Sequence, residues 1–291
     1  MKKALLTFYT LCFILLLHGC GSDIPTANVV ATTKPVYDFT QHLCQGTNIT
    51  VDRLITENLS CIHDYTLQVR QMRAIEKADV VIVSGAGLED FMTDALEGAN
   101  IIIDASDGIP LLCTDHDSEE HSDHHHDKDP HIWMDITNAR RMAANICNKL
   151  IAQYPEQESH FKENLLSLEA EFNDLQEYGF NTLSEISHRQ LITFHDGFHY
   201  FADCWDLDLL HAVEEEPGSE ASAGELIEII DIIRNYDVPA IFTEVNGSTS
   251  ASGIIAAETG IPVYSLSTCM SDADYFEAMR NNIDTLKEAL E

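Results

Sequence analysis

Residues 67–83 read Leu-Gln-Val-Arg-Gln-Met-Arg-Ala-Ile-Glu-Lys-Ala-Asp-Val-Val-Ile-Val, and this stretch decides the fold class. Val69, Met72, Ile75 and Ala78 recur every third residue, the spacing of one helical face. Val80–Val83 follows as four β-favouring apolar residues in a row, which suits a strand covered on both faces. A helix running straight into such a strand is a unit of α/β structure with a parallel sheet.

The alternation extends in both directions from this unit. Upstream lie an apolar run at 28–31, a helical stretch over 36–44 and a strand over Ile49–Ile55. Downstream come a helix over Leu88–Leu96 and a strand over Ile101–Asp104. After Ser187 the pattern resumes, with strands expected at Gln190–Phe194, Leu209–Val213, Ala240–Thr243 and Val263–Leu266. Ser222-Ala223-Gly224-Glu225 is a capping box opening a helix to about Asn235, and Asp272–Leu290 closes the chain as another helix. Between the halves a helix over Asn138–Tyr154 ends at Pro155. Phe161, Leu165, Leu168, Phe172 and Leu175 then keep one apolar stripe over about four turns. The expected fold is α/β: two lobes, each an about four-stranded parallel sheet with flanking helices, joined by one long rigid helix. The N-terminal lobe is placed at 28–156, the linking helix at 157–186 and the C-terminal lobe at 187–291.

The chain begins with Lys2 and Lys3 followed by an uncharged run, Ala4–Leu17, which is short for a bilayer span and right for a signal peptide core. Leu17-His18-Gly19-Cys20 resembles a bacterial lipobox. Residues 1–19 are therefore expected to be removed, Cys20 to carry lipid, and 20–27 to act as a tether. The protein is expected outside the cytoplasm, on the outer face of the membrane by its lipid anchor or free in the periplasm.

The chain has 291 residues with 49 acidic and 16 basic side chains, a formal net charge of −33. That excess argues against nucleic acid or anionic lipid as a partner, since both need a basic face. It suits a cation. Among eight cysteines no CxxC occurs, so a four-cysteine zinc ribbon or a thioredoxin-like centre is not indicated. Cys44, Cys61, Cys113, Cys147, Cys204 and Cys269 remain after the leader and Cys20, and sequence does not choose between disulfides and buried thiols. No P-loop, GxGxxG, GxSxG or HExxH motif is present, which removes the commonest nucleotide-dependent and hydrolytic enzymes.

Histidine is the informative residue. His63 follows the strand ending at Ile55, His195 ends the strand beginning at Gln190, and His131 lies in Asp129-Pro130-His131-Ile132-Trp133-Met134-Asp135. Ligands of open α/β sheets gather beyond the carboxyl ends of the strands. The three imidazoles can meet there, with His63 and His195 coming from different lobes. Imidazole nitrogen suits Zn²⁺. Asp64 and Asp196 directly follow two of these histidines and are candidate partners of the rings. Asp115–Lys128 holds His116, His121, His124, His125 and His126 among six acidic residues. No core forms there, and the segment reads as a solvated loop, in which the histidines are candidate auxiliary zinc ligands.

Four segments carry a resemblance. They are His63-Asp64-Tyr65-Thr66-Leu67 with Ala74–Ile82; the His-rich loop with 129–135; Phe194-His195-Asp196-Gly197-Phe198-His199-Tyr200-Phe201; and Phe242-Thr243-Glu244-Val245 with Ala257-Glu258-Thr259-Gly260. Over nearly the whole chain after the leader, the sequence resembles the cluster A-I solute-binding proteins of bacterial ABC transporters, and the zinc branch in particular. The resemblance implies two lobes joined by a long helix, with the metal held between them by His63, His131 and His195. It implies a permease and its ATPase subunit as partners, no catalysis, and a monomer. Manganese members tend to have a carboxylate at the third position, so His195 favours zinc. The family's fourth carboxylate has no obvious counterpart in Ser265–Asp272, which leaves Glu244, Asp272 or water for that place. His199, four residues after His195, would share a face with it on a helix. The alternatives are a manganese receptor of the same family and an exported zinc enzyme using three histidines, with Glu244 as base. A surface adhesin or a zinc buffer is a third reading.

Overall fold

A computed structural model of the chain describes residues 27–57, 62, 65–112, 128–213, 221–245, 247–271 and 273–291. Cys20, Cys61, His63, Asp64, Cys113, the five loop histidines and Asp272 lie outside the described residues.

The N-terminal sheet contains β1 (Val29–Ala31), β2 (Val51–Arg53), β3 (Val80–Val83) and β4 (Ile102–Asp104) in the order β2-β1-β3-β4, all parallel. Helices α1 (Lys34–Leu43), α2 (Val69–Lys77) and the short α3 (Thr93–Leu96) connect them. β1 and β3 are buried along their whole length, as uninterrupted apolar strands must be. Helix α4 (Ile136–Gln153) follows, capped by Asp135, whose carboxylate accepts from the amides of Thr137 and Asn138. Helix α5 (Glu158–Leu183) is the 26-residue link. Phe161, Leu168, Phe172 and Leu175 of its stripe are buried.

The C-terminal sheet repeats the design. It contains β5 (Gln190–Thr193), β6 (Asp208–Ala212), β7 (Ile241–Glu244) and β8 (Val263–Leu266), ordered β6-β5-β7-β8 and parallel throughout. Helices α6 (His199–Cys204), α7 (Ala223–Tyr236), α8 (Ser250–Thr259) and α9 (Tyr275–Leu290) complete the lobe. The box at Ser222 forms: its hydroxyl accepts from Glu225 N at 3.2 Å, and its amide donates to the Glu225 carboxylate at 2.7 Å. Alternation along the strands gives the sheet two apolar faces. Ile192 and Ile241 pack with Ile229, Ile233 and Ile255 of α7 and α8, whereas Leu191, Phe242 and Leu266 join the larger core that runs into the N-terminal lobe.

That larger core contains the junction between the lobes. Tyr275, the first residue of α9, is fully buried, with its ring 4.9 Å from Phe39 of α1 and 6.1 Å from Phe172 of α5. Its hydroxyl donates to the carbonyl of Trp133 at 2.8 Å, and its amide donates to Asp38 at 3.0 Å. Asp38 is paired with Lys34 at 2.5 Å, both nearly buried.

Two expectations need correction. On α2, Val69 and Met72 do not face the core; they are 63% and 45% exposed. Gln71 is buried in their place. Its amide donates to Leu54 O at 2.8 Å and to Tyr65 at 2.9 Å, and its oxygen caps the helix by accepting from Gln68 N. A fully satisfied glutamine can enter a core that periodicity reserves for hydrocarbon. The helix expected over Leu88–Leu96 is a 3₁₀ turn at Asp90–Met92 followed by a single helical turn. Gly85, Ala86 and Gly87 precede it in the left-handed region. Glu89 tightens this segment by accepting from Thr32 Oγ1 at 2.6 Å, Ser84 N at 2.7 Å and Gly85 N at 3.0 Å, which ties together the ends of β1 and β3.

Candidate metal centre

The carboxyl ends of β5, β7 and β8 lie side by side, and the chain leaves each of them with a polar residue at or just past its end. His195 follows β5 by two residues, Glu244 is the last residue of β7, and Thr268 follows β8 by two. From the other side comes His131, at the turn into the 3₁₀ segment Ile132–Met134.

The two imidazoles meet. His131 Nε2 and His195 Nε2 are 3.3 Å apart, with the rings perpendicular and their centroids 5.1 Å from each other. Each ring has a carboxylate at its far nitrogen. Asp129 Oδ1 is 2.9 Å from His131 Nδ1 and also accepts the His131 backbone amide at 2.8 Å. This two-residue reach is the natural hydrogen bond of an aspartate turn. Burial pushes the Asp129 carboxyl up, but the bond and charge of His131 outweigh it and hold the group below the usual carboxylate range. Glu244 Oε2 is 3.8 Å from His195 Nδ1, and Glu244 Oε1 accepts from Thr268 Oγ1 at 2.5 Å. Glu244 is 5% exposed, and burial pushes its pKa up to about 8.

Gly197 makes the approach of the two rings possible. A Cβ there would stand 2.7 Å from His195 Cδ2 and 3.0 Å from His131 Cδ2. His199 does not share a helical face with His195, because His195 lies in a bend and α6 begins only at His199. Its Nδ1 faces carboxylates instead, 3.3 Å from Asp196 and 3.7 Å from Asp129. Asp196 thus partners His199, and the acids standing behind the two converging rings are Asp129 and Glu244. Among the described residues no three His, Cys, Asp or Glu side chains gather closely enough to hold a metal ion. Cys44, Cys147, Cys204 and Cys269 are free thiols, and burial raises all four above the ordinary range. None of them is a ready metal thiolate.

Residues 29–289 match the family described as the periplasmic component A of the zinc-uptake complex. The chain belongs to the ZnuA family. It is 26% identical to the zinc-binding lipoprotein AdcA of Streptococcus pneumoniae over 99% of its own length, and it spans 61% of that longer protein. It is 25% identical to the high-affinity zinc uptake system protein ZnuA of Bacillus subtilis, covering 96% of this chain and 95% of that one. A crystal structure of ZnuA superimposes with a TM-score of 0.81 at 27% identity, over 91% of this chain and all of the other. The two parallel sheets and the long connecting helix are therefore the ZnuA fold. These relatives are named for binding or uptake of zinc and not for catalysis.

Proposed function

We propose that the chain is an extracytoplasmic zinc receptor that captures Zn²⁺ between its lobes and delivers it to an ABC permease, whose ATPase subunit supplies the energy. The observation that carries this reading is the 3.3 Å approach of two imidazole Nε2 atoms, each ring backed by a carboxylate. Two nitrogens bound to one tetrahedral zinc ion at about 2.0–2.1 Å stand about 3.3–3.4 Å apart. The pair is thus spaced as ligands of one such ion. The Asp129 carboxylate, bonded to His131 Nδ1, fixes the tautomer that presents Nε2 to a metal and raises its basicity.

In this reading His131, His195 and His63 supply three nitrogens, and water or Asp272 completes the shell. Glu244 Oε2 stands 3.8 Å from Nδ1 of His195, on the side of the ring away from His131, so Glu244 is read as a group behind that ring and not as the fourth ligand. A nitrogen-rich set favours zinc over manganese, which prefers oxygen. Lipid on Cys20 tethers the receptor outside the cell membrane, and His116, His121, His124, His125 and His126 gather zinc nearby. The acidic surface, at −33 overall, draws cations toward the crevice.

The test is a competition titration of the exported chain against a chromophoric chelator, with and without Asp115–Lys128. Tight 1:1 zinc binding that survives loop removal, with weaker manganese binding, supports the receptor. Loss of the tight site together with the loop would make the protein a zinc buffer instead.

A companion prediction concerns Gly197. In Gly197→Ala the new methyl drives both rings from their common focus, and zinc affinity is expected to fall about tenfold or more. The circular dichroism spectrum should be unchanged. Wild-type affinity in this variant would mean that the two rings do not share an ion.

A further inference from the structure

Glu244 reaches toward His195 with one oxygen only, and the other is held by Thr268. Thr268 Oγ1 donates to Glu244 Oε1 at 2.5 Å, which leaves Oε2 directed toward His195 Nδ1. Oε2 is buried and has no hydrogen-bond partner among the described residues. An oxygen left in that condition costs free energy unless the surrounding structure compels it. The same threonine faces the opposite lobe through its main chain. Its carbonyl accepts from Trp133 Nε1 at 2.7 Å, across 135 residues of sequence. Trp133 is fully buried, lies two residues from His131 and is itself fixed from behind by the hydroxyl of Tyr275. From the Glu244 carboxyl, which stands 3.8 Å from His195, hydrogen bonds therefore pass through Thr268 to Trp133 and arrive at the segment that presents His131. This path runs between the two imidazoles without passing through a metal.

The geometry points to Thr268 as a positioning residue that couples the contact between the lobes to the orientation of His195. This rests on the zinc reading above and extends it. While the Trp133 indole is seated on Thr268, the hydroxyl holds Glu244, and Glu244 keeps an unbonded oxygen 3.8 Å behind the His195 ring. When the lobes part at Trp133, the loop carrying Thr268 loses its anchor, Glu244 is released, and His195 is free to turn. Thr268 thereby makes tight binding conditional on a closed crevice, and opening the crevice weakens one ligand before the metal leaves.

The experiment compares Thr268→Val, which removes only the hydroxyl at nearly constant volume, with Thr268→Ser, which retains it. Both are combined with Glu244→Ala and titrated with Zn²⁺ against a chelator. Thr268→Val is expected to weaken zinc binding about ten- to hundredfold, the usual effect of losing an outer partner of a metal ligand, and Thr268→Ser by less than about threefold. In the Glu244→Ala background Thr268→Val should add less than about twofold, because both changes cut one chain. A full additive loss would show that Thr268 acts by some other route and would overturn the inference, as would unchanged affinity in Thr268→Val. The indole N–H of Trp133 gives a readout without metal. Its hydrogen exchange should quicken at least about tenfold in Thr268→Val and in Glu244→Ala, and not in Thr268→Ser, with Trp205 as the internal reference. Should Thr268→Val fail to fold, the Glu244→Ala and Thr268→Ser exchange rates decide the matter. Failure of the wild type to bind zinc would sink the receptor reading alone, whereas unaltered indole exchange in Glu244→Ala would sink the Thr268 coupling alone.

Discussion

His195→Ala is expected to weaken zinc binding by at least about two orders of magnitude. A protein zinc site is worth about 10–16 kcal/mol at neutral pH, so one of four donors carries about 3 kcal/mol, or roughly a hundredfold in the dissociation constant. His131→Ala should cost as much, since the two rings are opposite halves of one pair, 3.3 Å apart at Nε2. His199→Ala provides the contrast. Its Nδ1 is turned to Asp196 and Asp129, so its removal should change zinc affinity by less than about threefold. The measurement is competition against a chelator, with the fold checked by circular dichroism. Equal losses in all three variants would mean that the crevice has collapsed and that no ligand set can be read from them. Loss at His199 alone would move the site outward.

Acidification should have a still larger effect. A metal-bound imidazole must be unprotonated, and an ordinary one titrates near 6.5. Protons compete with the metal for every imidazole it needs, so affinity is expected to fall by more than about two orders of magnitude between pH 7.5 and 5.5. Asp129 adds nothing to this fall. Its pKa lies below the usual carboxylate range, so it stays ionised throughout the interval. Glu244 acts on the other side of neutrality. Burial raises it to about 8, so its carboxylate appears only as pH climbs past neutral. A negative charge at Nδ1 strengthens the opposite nitrogen as a donor. Affinity is therefore expected to keep rising between pH 7.5 and 8.5, and Glu244→Gln should remove that upper increment while leaving the acid limb intact. A change of less than about tenfold between pH 7.5 and 5.5, after correction for the chelator's own titration, would exclude a set of three imidazoles.

What the sequence disclosed and what it hid have a common explanation. The alternation of apolar runs announces both sheets because burial of hydrocarbon imposes a period on every strand and helix. Strand ends then place His195 and Glu244 in the crevice by topology alone. Polar contacts obey no period. Gln71 occupies a core position because distant main-chain and tyrosine oxygens satisfy it, and nothing local says so. Thr268 and Trp133 are 135 residues apart, and no spacing rule joins them. Asp129 was open to reading: an aspartate two residues before a histidine, with proline between, is placed to accept both the histidine amide and its ring. Asp196 is adjacent to His195 in sequence, yet its carboxylate stands by His199.

Helix α9 has a consequence for how the molecule comes into being. Its first residue completes a junction whose other members belong to α1 and α5, and Tyr275 and Asp38 are bonded across 237 residues. A chain threaded through a membrane from its N-terminus would present Phe39, Phe172 and Trp133 to solvent long before Tyr275 emerges. Long-range closure of this kind slows folding and leaves apolar surface exposed during the wait. The junction of the early lobe is thus completed only when the last helix arrives. Proteases that patrol the same compartment would have their opportunity in that interval, and a chain cut short of Tyr275 would remain open to them.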